Sequence, residues 1–387
     1  MTSIIKRLDT IKNRSTLKNN ILNISNRKLS KQEVSNLLML YDNNFYITQS
    51  DPYINQAILY LRPKELIITK IPYNITTSIN SIKDLISICD NYCNISNIRE
   101  NTKLNLLKKI YKPLINLDNL IGMQELKNDI LNQILFYIQN FHRVNNMEYM
   151  HTVLCGPPGT GKTEVAKIIG EIFSKLGILT KGTFTKVVRS DLIAGYLGQT
   201  AIKTAKVIEN SLGGVLFIDE AYSLGNQEKR DSFAKECLDT ICESLSNHKD
   251  NLMVIIAGYE EELNNCFFSF NPGLRSRFPW VFKTDKYSYE DLFKIFCKKV
   301  QEINWQLNNS LDENFFKKNI KYFKHYGRDV ELFLSKTKIA HARRVFSLSD
   351  DQKTIINKQD LDDGLKLFIK HGMQYDNQLD VVGHLYN

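Results

Sequence analysis

The sequence predicts an α/β domain built on a parallel sheet and followed by a smaller helical domain. Three observations carry that expectation. Between residues 149 and 258, short apolar strands alternate with helical stretches, the pattern of a parallel sheet covered on both faces. A glycine-rich GPPGTGKT follows the first of these strands and opens a helix. From Ser288 onward only helices are signalled.

In chain order, residues 1–112 come first and disclose least. They are rich in Asn, Ile, Ser and Lys, and their short apolar runs, QAILYL and ELIITKI, sustain neither a helical nor a strand period. Only Ile4, Leu8 and Ile11 share a helix face, and no repeat or motif appears, so the fold and role of this region stay open. Its charge is distinctive: residues 1–120 hold 17 Lys+Arg against 9 Asp+Glu, a net +8 out of +9 for the whole chain. Such a segment can bind nucleic acid or an anionic membrane surface, or can simply be a solvated basic arm.

At Leu117 the texture changes. LDNLIGMQELKNDILNQILFYIQNFHRV reads as a turn and then a long helix with Leu126, Ile130, Ile134, Leu135 and Ile138 at three- to four-residue intervals. The strands YMHTVLC, TFTKVVR, GVLFID and LMVIIAG follow, separated by helices from Lys162, over 202–210 and over 232–246. Ser288 and Asp291 form a helix-start pattern ahead of LFKIF. The expected divisions are 1–112, an α/β nucleotide-binding domain over 113–284, a helical domain over 285–371 and a tail over 372–387.

Composition narrows the class. With 387 residues, 43% hydrophobic and 24% charged, the chain has the make-up of an ordinary multi-domain protein. It holds no run of about 18 apolar residues that would cross a bilayer. MTSIIKRLDTIKNRS lacks the apolar block and cleavage site of a secretory signal, so an intracellular protein is expected. Seven cysteines at irregular spacings match no zinc or redox pattern. Cys89 and Cys93 would share a helix face, but no second pair or nearby histidine completes a metal site, and reduced structural thiols are expected.

The chemistry concentrates in two places. Gly156, Pro157, Pro158, Gly159, Thr160, Gly161, Lys162 and Thr163 stand between a strand and a helix, the context a phosphate loop requires. Its glycines let backbone N–H groups curl round phosphate oxygens at a helix N-terminus. Lys162 then reaches the β- and γ-phosphates of ATP, and the Thr163 hydroxyl ligates Mg²⁺. GGVLFIDEA buries Val215 to Ile218 in a central strand and delivers Asp219 and Glu220 at its carboxyl end, where ligands of open α/β sheets bind. Asp219 holds the magnesium and Glu220 polarises the attacking water; the other reading is that these acids cap the next helix. NPGLRSRF closes the α/β domain with Arg275 and Arg277. An arginine here either reaches a neighbouring subunit's γ-phosphate or binds its own domain's helix ends.

These motifs together resemble the AAA+ ATPases, in the branch of red-type rubisco activase, stage V sporulation protein K and the type VII secretion ATPases. The resemblance covers about 117–368 and rests on LIGMQELK, GPPGTGKT, DLIAGYLGQT, LFIDEAYSL, IIAGYEEEL, NPGLRSRF and YGRDVELFL. It implies ATP bound between the α/β domain and a helical lid, and assembly of copies into a ring, commonly of six. It makes Gly156 to Thr163 similar to Walker A and Asp219 with Glu220 similar to Walker B. Arg277 resembles the arginine finger, Arg275 its supporter, and Arg328 the lid's sensor 2. Most relatives end the strand before the finger with Thr-Asn, whereas this chain has Gly258 and Tyr259, as the named branch does; Tyr259 therefore stands where sensor 1 would. Tyr196, Leu197 and Gly198 match the loop that faces the ring's channel, although a core tyrosine at the sheet edge is the competing reading.

The function expected on these grounds is a Mg-dependent, oligomeric ATPase that remodels or threads a protein substrate of unidentified kind. The alternatives are a nucleic-acid motor or loader, favoured by the basic first third, and an ATP-gated scaffold that threads nothing.

Overall fold

The computed structural model describes residues 78–92, 102–143, 148–196, 198–226, 231–308, 312–347 and 353–383. All lie within the compact unit Thr77–Asn387, which is distinct from Met1–Thr76. The basic arm, with Ile4, Leu8 and Ile11, falls outside the described residues.

Two helices open the unit, α1 (Ile82–Tyr92) and α2 (Thr102–Asp118). Leu104, Leu107, Ile110, Leu114 and Leu117 of α2 are buried, a spacing of three to four residues that makes one continuous apolar face. The boundary expected at 112/113 therefore falls inside a helix: Pro113 sits within α2 and does not end it. Helix α3 (Gln124–Ile138) buries Leu126, Ile130, Ile134 and Ile138 as its period requires, with Leu135 half-buried.

The sheet consists of β1 (Thr152–Cys155), β2 (Phe184–Val187), β3 (Val215–Ile218), β4 (Met253–Gly258) and β5 (Trp280–Lys283), in the order β2-β3-β4-β1-β5. All neighbours are parallel, so each return passes through a helix, and both faces are covered. These helices are α4 (Lys162–Lys175), the one-turn α5 (Arg189–Leu192), α6 (Thr200–Ser211) and α7 (Ser232–Asn247). Val153, Leu216, Ile218, Val254 and Ile256 join one core cluster with Ile208 of α6 and Leu238, Ile241 and Leu245 of α7. On the strand pleat, alternate residues serve the other face, where Gly170 of α4 allows close approach to Val215 and Phe173 meets the Tyr137 ring at 4.8 Å. Each Leu, Ile or Phe fully buried in this way contributes about 1.5–3 kcal/mol. β5 had no sequence signal beyond WVFK, directly behind the arginine pair.

After β5 and the short helix α8 (Pro272–Arg277) that precedes it, the chain forms the lid. Its helices are α9 (Tyr289–Glu302), α10 (Asn314–Asn319), α11 (Tyr326–Arg344) and α12 (Lys358–Gly383). Ser288 and Asp291 make the capping box the sequence signals, the Ser288 hydroxyl accepting from Asp291 N–H at 3.2 Å and the Asp291 carboxylate from Ser288 N–H at 3.1 Å. Phe296, Phe316, Phe323, Phe333 and Phe368 fill the lid core. One feature departs from the all-helical expectation, a two-residue parallel ladder that pairs Gln306–Leu307 with Ile355–Ile356, and α12 runs past the boundary expected at 371/372.

Candidate nucleotide site

β1 ends at Cys155, and the phosphate loop begins where its backbone is clamped from both sides. Gly156 N–H donates to Gly258 O at 3.1 Å, and Thr284 N–H to Cys155 O at 2.8 Å. Between these clamps Gly159 (φ 77°) and Gly161 (φ 81°) adopt the left-handed backbone that turns the loop into α4. Gly161 is the N-cap of α4, and no side chain caps that helix end; its first N–H groups and dipole therefore face the loop, as an anion requires. Pro157 O accepts from Thr160 Oγ1 at 2.9 Å, which fixes the turn spanning Pro158 and Gly159.

Lys162 donates to Gly156 O and Pro157 O, both at 2.8 Å. Burial lowers the pKa of its ammonium, while the Asp219 and Glu220 charges raise it and Arg328 lowers it further. The charges of all three residues thus act on Lys162, although 57, 58 and 166 positions separate them from it in sequence. Thr163 lies half-buried on the first turn of α4. Glu220, exposed, takes φ 51° and ψ 47°, a left-handed geometry uncommon outside glycine. The helix-capping reading finds no support at this position, because the Glu220 side chain makes no cap hydrogen bond to the 3₁₀ turn Ala221–Leu224. Tyr259 follows β4 beside the loop, its ring 6.1 Å from that of Tyr222.

The lid reaches the same place. Gly327 N–H donates to Gly159 O at 3.0 Å, and a side chain on Gly159 would collide with the His325 carbonyl. Tyr287, in the hinge after β5, donates to Thr160 O at 3.2 Å, and Thr284 Oγ1 to Thr160 Oγ1 at 3.0 Å. A cleft of about 310 Å³ lies here, lined by Gly156, Pro157, Tyr259, Thr284 and Tyr326. A second cleft of about 360 Å³, lined by Lys83, Asp118, Gly122 and Lys294 among others, contains no phosphate-loop residue. The hinge residues Thr284 and Tyr287 carried no motif, and Gly327, although inside YGRDVELFL, was given no role; only the packing reveals these contacts.

The two arginines lie elsewhere. Arg277 donates from Nε to Ser246 Oγ at 2.7 Å and from its terminal nitrogen to Gly273 O at 2.6 Å. Its charge acts on His151, which immediately precedes β1 and so marks the end of that strand opposite the phosphate loop. Arg275 is exposed, its guanidinium 4.8 Å from the centre of the Phe268 ring. Within one chain, Arg277 is therefore held away from the phosphate loop, whereas the Arg275 charge still acts on Cys155 at the end of β1.

The AGYLGQT segment stands out from the domain. Tyr196 is 74% exposed, so a core position is ruled out. Gly198 takes φ 77°, and a Cβ on either Gly195 or Gly198 would meet nothing within 4 Å. The base, by contrast, is pinned: Ala194 N–H donates to Thr200 Oγ1 at 3.2 Å, and Lys203 Nζ to Ser190 O at 2.6 Å and Ile193 O at 2.9 Å. Leu197 lies outside the described residues.

A phosphate loop between strand and helix, with acids at the end of a neighbouring parallel strand and a lid hinged over both, defines an ATP-binding α/β protein of the P-loop class. Residues 152–285 match the family described as ATPase family associated with various cellular activities (AAA), and the chain belongs to that family. It is 37% identical over 322 residues to a cfxQ-like protein of Acanthamoeba polyphaga mimivirus, covering 81% of this chain and 79% of that one. It is 36% identical over 219 residues to stage V sporulation protein K of Bacillus subtilis, covering 55% of this chain and 66% of that one. CbbX of Cereibacter sphaeroides and mycobacterial EccA1 secretion proteins are similar over shorter stretches, the chain spanning only 26% of EccA1. These relatives place it in the branch that the motifs indicated, and the chain is an ATP hydrolase. Among solved structures, the FIGL-1 AAA domain is similar over 65% of this chain and 83% of its own, at 18% identity and a TM-score of 0.49. Among the described residues, no helix is long and apolar enough to cross a membrane.

Proposed function

We propose that this ATPase works as a ring of copies, six as is common in the family, that uses Mg-dependent hydrolysis to remodel or thread a protein substrate. The observation that carries the reading is Tyr196, exposed at the tip of a loop whose base is pinned. An aromatic ring offers an extended chain an apolar grip that tolerates sequence, and a pinned base transmits movement of the domain to that grip.

At the nucleotide, Lys162 and the α4 N-terminus hold the phosphates, and Glu220 orients the attacking water. Magnesium fits the donor set, since Thr163 and Asp219 both offer the oxygen atoms a hard cation takes, and when bound it neutralises phosphate charge. Arg328, from the lid, acts on the same nucleotide, and Tyr259 stands where a residue could contact the water. Arg277, with Arg275 in support, acts on the nucleotide of the neighbouring copy.

The test pairs two variants. Glu220→Gln retains ATP and holds the protein substrate for capture; Tyr196→Ala in that background releases it, while Tyr196→Ala alone keeps basal hydrolysis. Equal loss of hydrolysis and capture refutes the grip, and unaltered capture favours an ATP-gated scaffold. The basic first third supports a second reading, a nucleic-acid motor or loader, which requires single- or double-stranded DNA or RNA to bind the full chain with a steep salt dependence.

A further inference from the structure

The Asp219 carboxylate already has a partner. Lys186, on β2, places its Nζ 2.6 Å from Asp219 Oδ2. Sheet register explains the contact: Lys186 lies opposite Phe217, and Asp219, two residues further along, belongs to the same face as Phe217. The ammonium runs over the Phe217 ring, 5.9 Å from its centre, before reaching the acid, and Asp219 N–H is itself held by Val187 O at 3.1 Å. The acid and its counter-charge are thus set by the same pair of strands.

We propose that Lys186 is a positioning residue that tunes the magnesium affinity of the ATP site. The inference rests on the reading of Asp219 as the acid that takes the metal. A carboxylate oxygen that accepts from an ammonium has that direction occupied, which leaves Oδ1 as the unengaged oxygen. The positive charge also opposes a divalent cation on the same group. Lys186 therefore keeps the empty acid paired and weakens the metal's hold, so that binding and release of Mg²⁺ follow the nucleotide rather than precede it. Lys186 is 47% exposed and Asp219 23%, so solvent screens the pair and the effect is roughly two- to fivefold.

The experiment titrates Mg²⁺ into the full-length protein mixed with the fluorescent ATP analogue mant-ATP, reading the metal concentration at half-saturation. Lys186→Met lowers that concentration about two- to fivefold, and Lys186→Arg, which keeps the charge, returns it toward the parent value. An unchanged or higher concentration in Lys186→Met overturns the assignment, as does an Arg variant that behaves like the Met variant. If the parent itself binds mant-ATP without any response to Mg²⁺, the reading of Asp219 falls first, and with it this one. Because the side chain stands half in solvent on an edge strand, a melting curve matching the parent's confirms that both variants are folded.

Discussion

Replacing Arg277 by alanine separates a strut from a finger. The side chain makes two charge-assisted hydrogen bonds within its own domain, at 2.7 Å to Ser246 Oγ and 2.6 Å to Gly273 O. Each such bond contributes about 1.5–3 kcal/mol when desolvated. The group is only half-buried, and water replaces part of what is lost, so the pair contributes about 1–2 kcal/mol. Arg277→Ala should therefore lower the melting temperature by about 1.5–3 °C for a body of this size. Arg275→Ala forfeits an exposed cation–π contact with Phe268 and about 0.5–1 kcal/mol. If a guanidinium also serves the neighbouring copy's triphosphate, its removal slows hydrolysis by about 10³–10⁵, far beyond what that stability loss explains. To act there, Arg277 must release Ser246 and Gly273, so contact with the neighbour has to offset the same 1–2 kcal/mol. The assay is steady-state ATP hydrolysis at several protein concentrations, with a mixing arm. Chains carrying Arg277→Ala keep an intact phosphate loop, and chains carrying Lys162→Ala keep Arg277, so a mixture regains activity that neither shows alone. An Arg277→Ala protein that melts lower but hydrolyses ATP at the parental rate refutes the trans role and leaves the arginine a strut.

Gly159→Ala should weaken mant-ATP binding at least about tenfold, because the new methyl meets the His325 carbonyl of the lid within the phosphate loop itself; Gly198→Ala carries the same backbone strain at φ 77° but stands in open space outside that loop, and should leave binding within about twofold. Arg189→Ala should lower the coupling of hydrolysis to substrate release more than hydrolysis itself, measured with Glu220 intact as ATP consumed per substrate released. Stability should fall on acidification: His151 is buried and neutral, with its pKa lowered to about 4 from 6.5. The unfolded chain therefore binds the extra proton first, and stability is complete above about pH 6.5 and declines toward pH 4 by up to about 3 kcal/mol. Burial lowers the pKa of His142 in the same direction, so melting temperatures across that window should retain a smaller slope in His151→Asn.

What the sequence disclosed was what chemistry forces into a short string. GPPGTGKT and LFIDEA must be local, because a phosphate cradle and a strand-end acid are built from consecutive residues, and both lie where they were expected. The buried face of α2 was legible in principle, since Leu104, Leu107, Ile110, Leu114 and Leu117 repeat at helical spacing. Pro113 and the surrounding lysines and asparagines obscured it, although the helix tolerates the proline. Lys186 and Tyr287 were illegible for another reason: each acts on a residue 33 or 127 positions away, and only strand register or the hinge makes them neighbours. Exposure of Tyr196 followed from its glycines, but the pinning of the loop base by Lys203 depends on where α6 begins.

The cradle and the projecting loop are joined by a short series of rigid links. Asp219 leaves β3 with its N–H held by Val187 O at 3.1 Å, and the following turn offers Ser223 O to Arg189 at 2.6 Å. Arg189 heads α5, directly before the loop, and its other terminal nitrogen is fixed by Asp231, the N-cap of α7, at 2.6 Å. On the proposed function, a movement of the turn after Glu220 would reach the loop base through this one guanidinium. The lid meets the phosphate loop separately, through Gly327 N–H on Gly159 O at 3.0 Å. Two routes of contact thus leave one site, one toward Tyr196 and one toward α11, and the proposed threading would use them to grip and reorient in order rather than together.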